Sequence, residues 1–141
     1  MRGEVEKNIR SLHLSGRVSV TGFLSQSDLN AHLEACALLV LPSVSRSEGF
    51  GMTQLEAMLF GKPSITTRLP SGVRLVNEHG STGIQVPPGD ARALADALNQ
   101  LLGNADVRAT MGAAASERLE THFSLTQMIG GYRDVYRQAL A

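Results

Sequence analysis

The sequence predicts an α/β fold, a parallel sheet with helices on both faces, and three observations carry that prediction. Short β-branched or apolar runs at residues 17–21, 38–41, 64–67 and 83–86 alternate with helical patterns, which is the signature of βαβ units. Of the 141 residues, 43% are hydrophobic and 18% charged, the balance of one soluble domain, 1–141, with enough apolar material for a core. Capping residues and helix breakers stand where the runs and the helical patterns meet.

Taken in order, the run at 17–21 leads to a helix that Ser27 can cap and that continues through Ala35. The strand at 38–41 ends at Pro42, and a helix over 52–60 follows, stopped by Gly61 and Pro63. The strands at 64–67 and 83–86 come next. Asp90 stands where an N-cap is wanted, with Leu94, Leu98 and Leu101 at helical spacing before Gly103. Two more helices are predicted over 105–120 and 124–140; in the second, Ser124 and Gln127 have capping-box spacing, while Gly130 and Gly131 weaken the middle. The chain contains no internal repeat, low-complexity tract or interdomain linker.

Composition also excludes partners. The formal net charge is zero and no Lys/Arg cluster forms a basic stripe, so no nucleic-acid partner is expected. Cys36 is the sole cysteine and reads as a small buried hydrophobe in a reducing compartment. The longest apolar run, 35–42, falls far short of the roughly 18 residues that span a bilayer, and residues 1–10 carry charges where a signal peptide would be apolar. A cytoplasmic protein is expected, with the inner face of the membrane as a compatible station. His13, His32, His79 and His122 lack metal-ligand spacing, so no metal site is expected. Met52, Met58 and Met111 read as core filler.

The chemistry concentrates in residues 38–60, LLVLPSVSRSEGFGMTQLEAMLF. A buried strand ends at Pro42, a polar loop follows, and a Gly-Phe-Gly turn opens directly into a helix. In open parallel sheets, ligands bind where such loops gather at the carboxyl ends of strands. Gly49 and Gly51 allow close approach of the backbone, and the free amides of the first helical turn, near Met52 and Thr53, form an anion site suited to a diphosphate. Glu48 before the turn and Glu56 one turn into the helix can face one pocket, where carboxylates accept hydrogen bonds from sugar hydroxyls. Phe50 is either an anchor of the turn or a wall of the pocket. Arg46 is either a phosphate-neutralising cation or a solvated loop residue.

Pro42-Ser43, Ser47-Glu48-Gly49-Phe50-Gly51, Glu56-Ala57-Met58, Gly61-Lys62-Pro63 and the run from Gly83 to Asp90 together resemble the C-terminal, donor-binding domain of retaining GT-B glycosyltransferases of the family-4 type. The resemblance runs from about Arg17 to Ser124. It implies a Rossmann-like sheet, the C-terminal half of a GT-B fold lacking its first strands, in an enzyme that moves a hexosyl group from a nucleotide-diphosphate sugar to a glycan or lipid-linked acceptor. No metal or other cofactor is implied. Glu48 looks like the catalytic-site glutamate that holds the transferred sugar, and Glu56 like the one that holds the ribose. Amides from Gly49 to Thr53 would meet the sugar and diphosphate, Gly22 and Phe23 would lie beside the base, and Pro42 and Ser43 would line the cleft. Pro70 to Val73 stands where many relatives carry another loop that reaches the donor.

The family's basic pair for the diphosphate and its acceptor-binding N-terminal domain have no counterpart in this chain. The chain alone is therefore expected to be inactive, with an exposed sheet edge that invites self-association and a full enzyme compatible with peripheral membrane attachment. The alternatives are a non-catalytic nucleotide-sugar-binding or assembly module, and a fragment of a GT-B-like nucleotide-sugar epimerase.

Overall fold

A computed structural model describes residues 2–140; Met1 and Ala141, the ends of the expected 1–141 domain, lie outside the described residues. The chain divides into two compact units, Met1–His32 and Leu33–Ala141.

The first unit opens with helix α1, Arg2–Ser11, which residue patterning did not single out. Arg2 Nε donates to Glu6 Oε1 at 2.8 Å across one turn, and the Arg2 guanidinium holds the Glu6 carboxyl below the usual carboxylate range. The helix ends in a Schellman arrangement, with His13 at φ 55° and its amide on the Arg10 carbonyl, and Leu14 reaching the Ile9 carbonyl. Residues 17–21, expected as the first strand, are not one. The amides of Arg17 and Val18 both turn back to the Leu14 carbonyl at 2.8 and 2.9 Å. A turn uses the donors a ladder would need, and a strand without a paired neighbour gains nothing from an extended backbone. Helix α2, Gln26–Ala35, follows, and its last three residues belong to the second unit. Its cap is Ser25 rather than Ser27: the Ser25 hydroxyl oxygen accepts the Asp28 amide at 3.2 Å, because the helix begins one residue before Ser27.

The second unit carries the sheet. Strands β1 (Leu39–Leu41), β2 (Ser64–Thr67) and β3 (Gly83–Val86) pair in parallel in the order β1-β2-β3, with Leu39 opposite Ser64 and Ile65 opposite Ile84. Every residue of β2 and β3 is buried, the polar Ser64 and Gln85 included, as a parallel sheet covered on both faces requires. Between and after them come α3 (Met52–Leu59), α4 (Val73–Val76), α5 (Ala91–Leu102), α6 (Ala105–His122) and α7 (Leu125–Ala139). The caps predicted at Asp90 and Ser124 hold, their side chains accepting the amides of Ala93 and Gln127, and Asn104 caps α6 in the same way by accepting the Val107 amide.

Helices cover both faces of the sheet, as strand alternation requires. Ile65, Ile84 and Val86 pack with Ala97, Leu101 and Met111 from α5 and α6. The flanking Ser64 and Thr66 point the other way, where the buried Asn77 amide nitrogen reaches the Ser64 carbonyl, the Thr66 hydroxyl and the Ile84 carbonyl at 3.1, 2.9 and 3.3 Å. On that side Met58, Val76 and Ala115 form a second core beneath α3, α4 and α6. Met58 and Met111 are core filler as expected, but Met52 is 62% exposed, since it starts α3 on the face turned from the sheet. Cys36 is half-buried rather than buried, with its thiol donating to the Leu33 carbonyl at 3.3 Å. No helix among the described residues is long and apolar enough to cross a membrane.

Candidate functional site

Strand β1 delivers the chain to the site, and side-chain alternation splits its exit. Pro42 borders a cavity of about 190 Å³ at the carboxyl ends of the strands, together with Val44, Thr67, Val86, Pro87 and Asp90. Ser43 turns the other way, and its hydroxyl donates to Glu48 Oε2 at a long 3.5 Å. Pro42 and Ser43 therefore border different spaces; the cavity beside Pro42 holds neither Glu48 nor Glu56. The loop backbone is braced by Thr67, whose hydroxyl donates to the Ser43 carbonyl at 2.5 Å.

The turn from Glu48 to Thr53 is built around a left-handed glycine. Gly51 has φ 74° and ψ 60° and serves as the N-cap of α3 without any side-chain cap. A Cβ there would stand 2.5 Å from Gln54 Nε2 and 2.7 Å from Leu41 Cδ2, so both conformation and packing require glycine. Gly49 differs: its φ is not positive, and a Cβ would meet nothing within 4 Å. Nothing in the fold requires glycine at 49, and the space beside it is open.

Among the described residues the amides of Gly49, Phe50, Gly51, Met52 and Thr53 donate to no backbone or side-chain acceptor, whereas the Gln54 amide returns to the Gly51 carbonyl at 2.9 Å. Five consecutive free donors at a helix start make a local positive potential that suits an anion. Met52, Thr53 and Glu56 share one face of α3 by helical spacing; the first two are exposed and Glu56 is half-buried. Glu48 is half-buried as well. Two carboxylates thus flank the amides, one before the turn and one a turn into the helix.

The turn is held from behind. The Gly72 amide donates to the Gly49 carbonyl at 2.7 Å, which ties the segment from Pro70 to Val73 to the Glu48 loop. Phe50 packs edge-on to Phe123, ring centres 6.0 Å apart, so its ring anchors the loop. Arg118 lies over the same Phe123 ring and donates to the carbonyls of Leu75 and Val76 at 2.8 and 3.0 Å and to Glu78 at 3.2 Å.

Two of these contacts were not legible in the sequence. Gln54 is fully buried on the α3 face shared with Ala57 and Met58, and its amide nitrogen reaches the Phe50 and Gly51 carbonyls. Its one signal in the sequence is a polar residue on an apolar helical stripe. Gly72 lies in the segment 70–73 that the resemblance set where relatives reach the donor, but its contact with Gly49 carries no signal, because it joins the loop after β1 to the loop after β2. Arg46 is exposed in the loop. Gly22 and Phe23 belong to the first unit, where Gly22 takes φ 72° and Phe23 is fully exposed. Among the described residues, no three His, Cys, Asp or Glu side chains gather as a metal site would require.

Comparison with known proteins agrees with this architecture. The chain is 32% identical over 140 residues to O-antigen chain mannosyltransferase C of Escherichia coli, covering 99% of this chain and 38% of that protein. It is 35% identical over 132 residues to N-acetyl-alpha-D-glucosaminyl L-malate synthase of Bacillus anthracis, covering 94% of this chain and 33% of that one. The chain thus spans little more than a third of the length of these relatives. Among solved structures, sucrose-phosphate synthase from Thermosynechococcus elongatus superposes with a TM-score of 0.86 at 29% identity, covering 99% of this chain and 34% of that one. HepE from Anabaena, in complex with UDP-glucose, superposes with a TM-score of 0.85 at 27% identity, covering 96% and 36%. These matches identify the fold as the Rossmann-like α/β domain of GT-B glycosyltransferases. The family described as Glycosyl transferases group 1 matches residues 1–118, and with a strand tip, a glycine turn and a free helix start in the family's order, the chain belongs to the group 1 glycosyltransferases.

Proposed function

We propose that this chain is the donor-binding domain of a retaining glycosyltransferase of the family-4 type, one that moves a sugar from a nucleotide-diphosphate sugar to a glycan or lipid-linked acceptor. The observation that carries the reading is the row of five unpaired amides at residues 49–53 between two half-buried carboxylates. The amides and the α3 terminus stabilise the negative charge that grows on the diphosphate as the bond to the anomeric carbon breaks. Glu48 accepts hydrogen bonds from hydroxyls of the transferred sugar, with Ser43 orienting its carboxylate. Glu56 accepts them from the ribose. HepE was solved with UDP and with UDP-glucose, which supports a nucleotide sugar as the ligand class. The acceptor is held by a further segment, in keeping with relatives about three times as long, and the chain by itself binds donor without transferring it.

Calorimetric titration of the folded chain with UDP-glucose and with GDP-mannose tests this. One of the two is expected to bind saturably, and Glu56→Ala to weaken it about tenfold or more, the cost of hydrogen bonds lost to a charged acceptor. A folded chain that binds neither sugar nucleotide overturns the reading in favour of a module without donor affinity.

A further inference from the structure

Gln54 is an expensive residue for its position. It is fully buried, at the third position of α3, with its Oε1 meeting no partner. An apolar side chain of similar size would fill the same space beside Ala57 and Met58 without burying an orphan acceptor. What the amide does is local: Nε2 lies 3.2 Å from the Phe50 carbonyl and 3.3 Å from the Gly51 carbonyl. Both are acceptors only, so the nitrogen must face them, and the orphaned oxygen is the consequence of that orientation.

The peptide plane converts this into a statement about the other side of the turn. In a trans peptide the carbonyl and the following N–H point in opposite directions, and the chain has no cis peptide bond among its described residues. A Phe50 carbonyl drawn inward by Gln54 turns the Gly51 N–H outward. A Gly51 carbonyl held inward, by both the Gln54 side chain and the Gln54 amide at 2.9 Å, turns the Met52 N–H outward. The left-handed Gly51 belongs to the same device, since any Cβ there would collide with Gln54 Nε2.

We propose that Gln54 is a positioning residue for the donor diphosphate: from inside the core it locks the two peptides whose amides, Gly51 and Met52, meet the phosphate oxygens. The proposal rests on the donor-binding reading above. It deepens that reading by assigning the orientation of the anion site to a side chain that never touches the ligand.

The test uses the full chain with Gln54→Leu, which keeps the volume and removes both the donor and the orphan oxygen. UDP and UMP are titrated by calorimetry, or GDP and GMP if guanosine nucleotides bind more tightly. The diphosphate is expected to lose about tenfold or more in affinity while the monophosphate changes little, so that the ratio between them collapses. On binding, the amide proton shifts of Gly51 and Met52 seen in the wild-type chain should shrink in the variant. A folded variant with the wild-type ratio and wild-type shifts overturns the proposal. Gln54→Met gives the same reading should the leucine variant not fold, and a chain that folds with neither makes Gln54 a stability residue and also overturns it. If the wild-type chain binds no nucleotide or sugar nucleotide, the donor-binding reading itself has failed, an outcome separate from all of these.

Discussion

Two glycines two residues apart play opposite parts in the turn, and single substitutions separate them. At Gly51, alanine meets a left-handed backbone and two side chains inside 3 Å, so Gly51→Ala is expected to cost about 1–3 kcal/mol in urea denaturation. At Gly49, the same change meets open space and should alter stability by less than about 0.5 kcal/mol. If the open side of Gly49 is where the donor lies, Gly49→Ala instead weakens UDP-glucose or GDP-mannose, and a variant with undiminished affinity would remove Gly49 from the site. The motif residues were legible because their meaning is local: Glu48, Gly49, Gly51 and Glu56 sit within nine positions, and the helix start follows from the glycines. Gln54 was not, because residue pattern alone does not tell a polar side chain bonded beneath a turn from one turned to solvent.

Helix α4 shows how an element can be invisible in sequence and well held in the fold. Four residues are too few to nucleate a helix from their own propensity, and its terminal carbonyls are met by side chains distant in the chain. Gln85 of β3 donates to the Arg74 carbonyl at 3.2 Å and also to that of Asn77. Arg118 of α6 serves Leu75 and Val76. Because α4 follows directly on Gly72, which holds the Gly49 carbonyl, its anchoring bears on the site. Arg118→Ala is expected to destabilise the chain by about 2 kcal/mol in thermal or urea unfolding. Arg118→Lys should recover only part of this, since an ammonium lacks the planar fork that meets three acceptors at once; full recovery by lysine would show that the fork is not what holds α4. The caps at Asp90 and Ser124, by contrast, were readable outright, for a cap is a contact between neighbours three residues apart.

The sheet is small, three parallel strands with β1 and β3 at its edges and β2 fully buried between them. Its protection from hydrogen exchange should follow that order. Amides of Ile65 and Ile84, paired and covered on both faces, are expected to exchange close to the global unfolding limit, and those of residues 19–21, which enter no ladder, to exchange fast. Residues 17–21 carry strand-forming types, yet a strand is a relation between two segments, and here the Leu14 carbonyl takes the amides first. Strong protection over 17–21 in solution would mean that this segment has found a partner strand, a second copy of the chain included.

Order along the chain settled most of the second unit: the strand runs at 38–41, 64–67 and 83–86, the helix opening at Met52, and the caps that start α5 and α7, all of which depend on residues within a few positions of one another. Folding in three dimensions settled the rest, namely that 17–21 does not join the sheet, that Pro42 and Ser43 leave β1 toward different spaces, that Met52 faces outward, and that Gln54, Gly72 and Arg118 brace the turn. The physical reason is range. Propensity, capping and turn geometry act between neighbours and are written in local patterns, whereas ladders, buried hydrogen bonds and packing join segments tens of residues apart and exist only once the chain has closed on itself.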